Sequence, residues 1–224
     1  MKKRTYCLLL AAFIAVIAGM TSCQKEVSNE SGGPGKDSTI TTPPPVDSTH
    51  SDSATEVGTW KFISLHTTYT QTTTYSNSGF SVKGVTTADF VTTKNSGTIK
   101  FDGSQMISTG MSLSINTTAN TDVYVNGVKG NAVALPIDTS FAAQTDTASY
   151  QKIRPDSLYL QSGGFFGMGA GGLIPANAVG CKLKFNGNTM TMTVIYDNNY
   201  TDNSQGFPAQ VTSHAVLEAT LQRQ

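Results

Sequence analysis

The chain reads as all-β, an antiparallel meander closing into one barrel, with a two-sheet sandwich as the alternative. Three observations carry this reading. From residue 57 onward large apolar and polar residues alternate in short runs, the period-two pattern of strands with one buried face. Each run is bounded by Gly, Asn, Asp or Pro, and Asp102-Gly103, Asn126-Gly127 and Asn186-Gly187 supply the positive φ angles that tight hairpins require. Finally, the chain is rich in Thr, Ser, Asn and Gly and only 13% charged, a composition that favours strands and turns over helices.

The first strand opens at Val57-Gly58-Thr59-Trp60-Lys61-Phe62-Ile63-Ser64-Leu65. Strict alternation puts Trp60, Phe62 and Ser64 on one side and Lys61, Ile63 and Leu65 on the other. Further strands are predicted over residues 80–90, 97–101, 106–115, 122–128, 157–161, 182–185, 190–196 and 211–221. No segment carries a helical stripe over three turns, and Ala142 to Ala148 is the nearest approach to one. About 168 residues from 57 to 224 suffice for one such domain and are too few for two.

Ahead of this domain, residues 24–56 hold Ser-Gly-Gly-Pro-Gly, Thr-Thr-Pro-Pro-Pro and repeated Asp-Ser, with few large aliphatic side chains. Such a segment cannot bury enough apolar surface to fold. It is expected to be a tether with a root-mean-square reach of roughly 30 Å, and its Ser and Thr residues permit O-glycosylation.

The first residues, Met1-Lys2-Lys3-Arg4 followed by an apolar run over 8–20, form a signal sequence too short to span a bilayer of about 30 Å. The segment Gly19-Met20-Thr21-Ser22-Cys23 resembles the lipobox of bacterial lipoproteins, with Met20 where Leu is usual. The resemblance implies cleavage after residue 22 and acylation of Cys23. The expected organisation is therefore a lipoprotein signal peptide over 1–22, a lipidated Cys23 and tether over 23–56, and one β domain over 57–224. The implied location is the outer membrane, on its periplasmic or cell-surface face, with the membrane as a partner through the N-terminal lipid.

Losing the signal leaves 12 basic residues against 15 acidic ones, a net charge near −3. With no basic stripe interleaved with aromatics, nucleic acid is not an expected partner. Cys181 is then the only thiol of the domain, so no internal disulfide forms, and its place in an alternating run makes it a small buried hydrophobe.

The domain's two ends resemble lipocalin-like barrels. Lipocalins open on Gly-x-Trp, matched by Gly58-Thr59-Trp60, and carry an Arg at the last strand, matched by Arg223. The resemblance implies that Gly58, Trp60 and Arg223 form a structural plug, the guanidinium stacking on the indole. Thr121-Asp122-Val123-Tyr124 copies another lipocalin pattern at the wrong place and is set aside as chance.

Catalytic chemistry finds no footing, for hydrolysis needs a nucleophile with its base or an open metal site. His66 and His214 stand alone on the two terminal strands and would meet only if those strands pair; a surface reading is preferred to a metal site. Asp197-Asn198-Asn199-Tyr200-Thr201-Asp202-Asn203 is oxygen-rich but lacks the Gly and Glu of a calcium loop. Gly163-Gly164-Phe165-Phe166-Gly167-Met168-Gly169-Ala170-Gly171-Gly172 lacks the Lys-Ser or Lys-Thr of a phosphate loop. Its Phe165, Phe166 and Met168 either form a ligand-contacting lid or fold back to cap the barrel. No metal or cofactor is expected.

The function expected from the sequence is non-catalytic: a membrane-tethered, lipocalin-like barrel holding a small apolar or amphipathic ligand in its mouth. The alternative is a surface sandwich that grips glycan or protein, with Tyr69, Tyr75, Tyr196 and Tyr200 as stacking residues.

Overall fold

The computed structural model describes residues 55–162, 164–166, 178–204 and 207–224. The signal peptide, Cys23, the tether up to residue 54 and Met168 lie outside the described residues. What is described is all-β, in ten strands: β1 (Gly58–Asn77), β2 (Phe80–Val91), β3 (Thr93–Phe101), β4 (Gln105–Val125), β5 (Val128–Lys129), β6 (Val133–Arg154), β7 (Ser157–Leu160), β8 (Val179–Asn186), β9 (Thr189–Asp202) and β10 (Ala209–Arg223).

They form one antiparallel sheet, in the order β10-β9-β8-β7-β6-β4-β2-β1-β3, and β10 pairs back onto β1 so that the sheet closes in a ring. That seam runs from Trp60 opposite Arg223 to Tyr75 opposite Ala209. Strands β2 and β3 occupy one place in the ring, one above the other. β1 pairs β2 over residues 66–77 and β3 over 58–61, and β4 meets the same two strands in the same order. With β5 only an outlying pair beside β4, the ring has eight positions. Eight strands leave an interior just wide enough for side chains to fill, or for one small ligand.

The three predicted hairpins form, but at Asn186-Gly187 the turn moves on by one to Gly187-Asn188, since Asn186 pairs with Thr189. The Asn126-Gly127 hairpin has φ of 49° and 80°, the pair of left-handed residues a two-residue turn needs. A further hairpin, Ser78-Gly79, joins β1 to β2. Gly97 is required for a second reason: at φ 111° a Cβ there would lie 2.8 Å from the Met111 backbone.

Two expectations are corrected. Ala142 to Ala148 is strand, not helix, because pairing to β4 across Ile107 to Thr147 and Met106 to Ala148 overrides alanine's preference. Leu65 faces the interior with Trp60 and Phe62, all at 1% exposure or less. The cause is a bulge between Phe62 and Ser64, which inserts one residue and reverses the alternation beyond it. Facing it, Thr92 separates β2 from β3. Its N–H donates to the Leu65 carbonyl at 2.9 Å, its hydroxyl accepts the Leu65 N–H at 3.0 Å, and the Asn95 amide donates to the Ile63 carbonyl at 2.9 Å.

Candidate functional site

The bulge divides the interior into two ends. At the closed end Trp60 is fully buried, its indole N–H donating to the Glu56 carbonyl at 2.7 Å. The Arg223 guanidinium lies 4.6 Å above the indole ring and donates to the Thr55 carbonyl at 2.5 Å. Gly58 sits beneath it at φ 132°, where a Cβ would approach Arg223 to 3.7 Å.

Glu56, which the sequence reading left in the tether, belongs to the domain: it is 2% exposed. Its carboxylate accepts Lys152 Nζ at 2.5 Å and the Tyr150 hydroxyl at 3.3 Å. Tyr150 in turn accepts the Gly103 N–H at 3.1 Å and sets its ring edge-on to Phe101. Burial first, and then the Glu56 charge, push the Tyr150 hydroxyl well above the usual phenol range. Every polar group named here has its partner.

Phe165 and Phe166 belong to this packed region. They are 1% and 0% exposed, stack on each other at 4.3 Å, and Phe165 meets Phe62 edge-on at 5.9 Å. The lid role is corrected for these two rings: burying about 150 Å² or more of aromatic surface apiece favours folding back over remaining exposed, and they fill the core.

Beyond Leu65 the interior changes character. On β1 the inward positions become Thr67, Tyr69, Gln71, Thr73 and Tyr75, and β10 opposes them with Ser213 and Val211. Tyr69 donates to the Gln71 amide oxygen, and Gln71 donates to Thr73 at 3.2 Å. The Tyr69 hydroxyl is held above its ordinary pKa mainly by burial; Ser213 hydrogen-bonds it, and Tyr200 and Tyr196 lie within electrostatic reach. Tyr196 and Tyr200 are therefore gathered with Tyr69 and Ser213 at one corner, Tyr200 at its rim with 42% exposure.

Across the ring, β6 turns Val133, Leu135, Ile137 and Phe141 inward, since these pair with the inward Thr121, Ala119, Thr117 and Leu113 of β4. All four are half-buried, unlike the fully covered residues of the closed end. Among the described residues, β6 gains a partner on its second side only from Ser149 onward, whose carbonyl accepts the Gln161 N–H at 2.9 Å. The open end is thus a trough with an apolar wall on β6 and a hydroxyl-rich wall on β1, β9 and β10.

At its floor sits Thr67, 1% exposed, whose hydroxyl has no hydrogen-bond partner. Its cross-strand neighbours are Leu217 and Phe90, which offer nothing to bond. The neighbouring hydroxyls are satisfied, Thr86 with Thr121 at 2.9 Å among them.

The histidines do not form a metal pair. β1 and β10 do pair, but His66 lies opposite Glu218 and His214 opposite Thr70. His66 meets Asp89 at 2.7 Å and Glu218 at 3.6 Å, while His214 meets Asp197 at 2.7 Å. Cys181 is 2% exposed, and burial pushes its thiol up to about 12.

Sequence reasoning named Tyr69, Tyr75, Tyr196 and Tyr200 but missed Thr67, Gln71, Ser213 and the whole β6 wall. The β6 wall was readable, for Val133, Leu135, Ile137 and Phe141 alternate with polar or small residues, interrupted by Pro136. Compared with known proteins, the chain matches no family model, no curated protein and no solved structure.

Proposed function

We propose that this chain is a lipid-anchored envelope protein, acylated at Cys23, whose barrel carries a small amphipathic ligand in the open end. The observation that carries the reading is the change of the inner face beyond Leu65, from a sealed apolar core to mixed chemistry in which Gln71, Thr73, Tyr75 and the β6 side chains are only half-buried above the covered Thr67, Thr121 and Ser213. Natural interiors are packed to crystal density, so a stretch of inward residues left partly accessible marks a place for another molecule. Gly58, Trp60 and Arg223 serve as the structural plug of the opposite end. No catalytic residue is assigned.

The location rests on the lipobox-like segment. It is tested by feeding cells a labelled fatty acid: label on the wild type that is lost in Cys23→Ser is the expected result, and label absent from the wild type overturns it. The ligand reading is tested by native mass spectrometry of the chain from residue 23 onward with Cys23→Ser, after exposure to an envelope extract and desalting. A discrete added mass is expected, and a bare mass under gentle ionisation overturns it. The clustering of Tyr69, Tyr196 and Tyr200 favours one second reading, an oligosaccharide stacked in the same trough. An added mass made of hexose units would select it.

A further inference from the structure

We infer that the trough selects an electrically neutral amphiphile, one whose head carries hydroxyl or carbonyl groups and no net charge. The inference rests on the ligand-carrying reading above and narrows it to a chemical class.

Its ground is the distribution of charge. Among the described residues, the inward positions of the open end are Thr67 to Tyr75 on β1, Val82 to Phe90 on β2, Ala119 to Val125 on β4, Val133 to Phe141 on β6, Tyr196 to Tyr200 on β9 and Val211 to Ser213 on β10. None of these inward side chains is Lys, Arg, His, Asp or Glu. The charged residues of the same strands alternate to the outer face. There His66 meets Asp89 and Glu218, Lys129 meets Asp122 at 2.7 Å, and His214 meets Asp197. The exception is Asp202, which ends β9 on the same alternation as Tyr196 and Tyr200, is half-buried, and accepts the Ser204 N–H at 2.8 Å.

A carboxylate or ammonium drawn into this trough beneath Tyr200 would leave water and find no countercharge among these inward side chains, the costliest arrangement a buried ion can meet. A hydroxyl or ester head would find donors and acceptors of its own kind. Thr67 supplies the most pointed of these. Its hydroxyl is buried, faces the interior from the floor and has no partner, a cost of roughly 1–3 kcal/mol that a ligand oxygen would remove. The half-buried β6 wall is apolar where Thr67, Tyr69 and Ser213 are polar, so an acyl chain lies along β6 with its head towards β1 and β10.

The experiment compares three probes with one twelve-carbon chain and different heads: monolaurin, laurate and dodecyltrimethylammonium. Each displaces Nile red, a neutral dye, from the Cys23→Ser chain at pH 8, below the probe's micellar concentration. Monolaurin is expected to displace at a concentration at least tenfold lower than either ion. Gln71→Lys, which places a cation beside Tyr69, is expected to strengthen laurate at least fivefold over its wild-type value. Thr67→Val is expected to weaken monolaurin severalfold while leaving the melting temperature within a few degrees.

Laurate or dodecyltrimethylammonium matching monolaurin in the wild type overturns the inference and leaves the ligand-carrying reading standing. Displacement by none of the three, or failure of the dye to bind, overturns both. Monolaurin affinity unchanged in Thr67→Val overturns the placement of the head at the trough floor.

Discussion

The two ends of the barrel solve one problem in opposite ways. At the Trp60 end the polar groups are few, ionic and interlocked: Arg223 on the indole, Lys152 and Tyr150 on Glu56, the indole N–H on the Glu56 carbonyl. At the Tyr69 end they are many, neutral and loosely shared, and a hydroxyl at the floor is left over. A closed ring of strands has no need to seal both ends for stability. Buried charge is tolerated when each ion has a partner, and Glu56 has one at the closed end, while the inward side chains from Thr67 to Tyr75 on β1 and from Val133 to Phe141 on β6 carry no charge. The difference separates the part that holds the fold from the part proposed to take a ligand.

The comparison breaks most readily at the closed end. Trp60→Ala removes a fully buried ring, its stack with Arg223 and its bond to Glu56, and is expected to cost about 3–5 kcal/mol of unfolding free energy in urea titration. A loss under about 1 kcal/mol would show that the plug is decoration. The milder Trp60→Phe should lower the melting temperature and leave Nile red binding unchanged, because the proposed ligand end does not include it.

Next in size is Lys152→Met, which strands the Glu56 carboxylate. Full burial of both partners would make this 3–5 kcal/mol, but the Lys152 side chain is 37% exposed, so solvent screening reduces the expectation to about 2 kcal/mol. A variant as stable as the wild type would show that Glu56 is wetted or finds another donor.

At the other end the sign reverses. Thr67→Val replaces an unpaired buried hydroxyl with a methyl of the same shape, and the unliganded protein is expected to gain up to about 1 kcal/mol. A loss of stability would reveal a partner for the hydroxyl.

The smallest effect lies on the outer face. Asp89, above all by its hydrogen bond, holds the His66 pKa above the ordinary 6.5 against the lowering effect of burial. The stabilisation is therefore complete below pH 6.5 and fades as pH rises through the raised folded value. Asp89→Asn is expected to destabilise by under about 1 kcal/mol at pH 5.5 and by nothing measurable at pH 8.5. A pH-independent difference would sever the effect from His66 titration.

Much of this architecture is written in plain alternation and in Asn-Gly and Asp-Gly turns, because those depend only on neighbours in the chain. What was hidden depends on residues far apart. The inversion at Leu65 comes from a bulge whose bonding partners, Thr92 and Asn95, lie some thirty residues on. Ala142 to Ala148 looks mildly helical alone and is strand because β4 lies beside it. Phe165 and Phe166 sit among glycines, which suggested an exposed loop, yet their surface is spent on Phe62 and the core. Thr67 and Ser213 could not be told from the chain's many other hydroxyls, since only closure of β10 on β1 brings them to the interior.

The lone thiol of the described domain offers a final consequence. Cys181, opposite Val194 and Leu158 in neighbouring strands, has a thiol too buried and too weakly acidic to react while the ring is intact. It becomes alkylatable only when strands β7, β8 and β9 part, so at iodoacetamide concentrations where alkylation outpaces reclosing, the labelling rate is the rate at which this barrel opens. The molecule thus carries its own stopwatch, and a bound ligand would be read on it as a slowing of the hand.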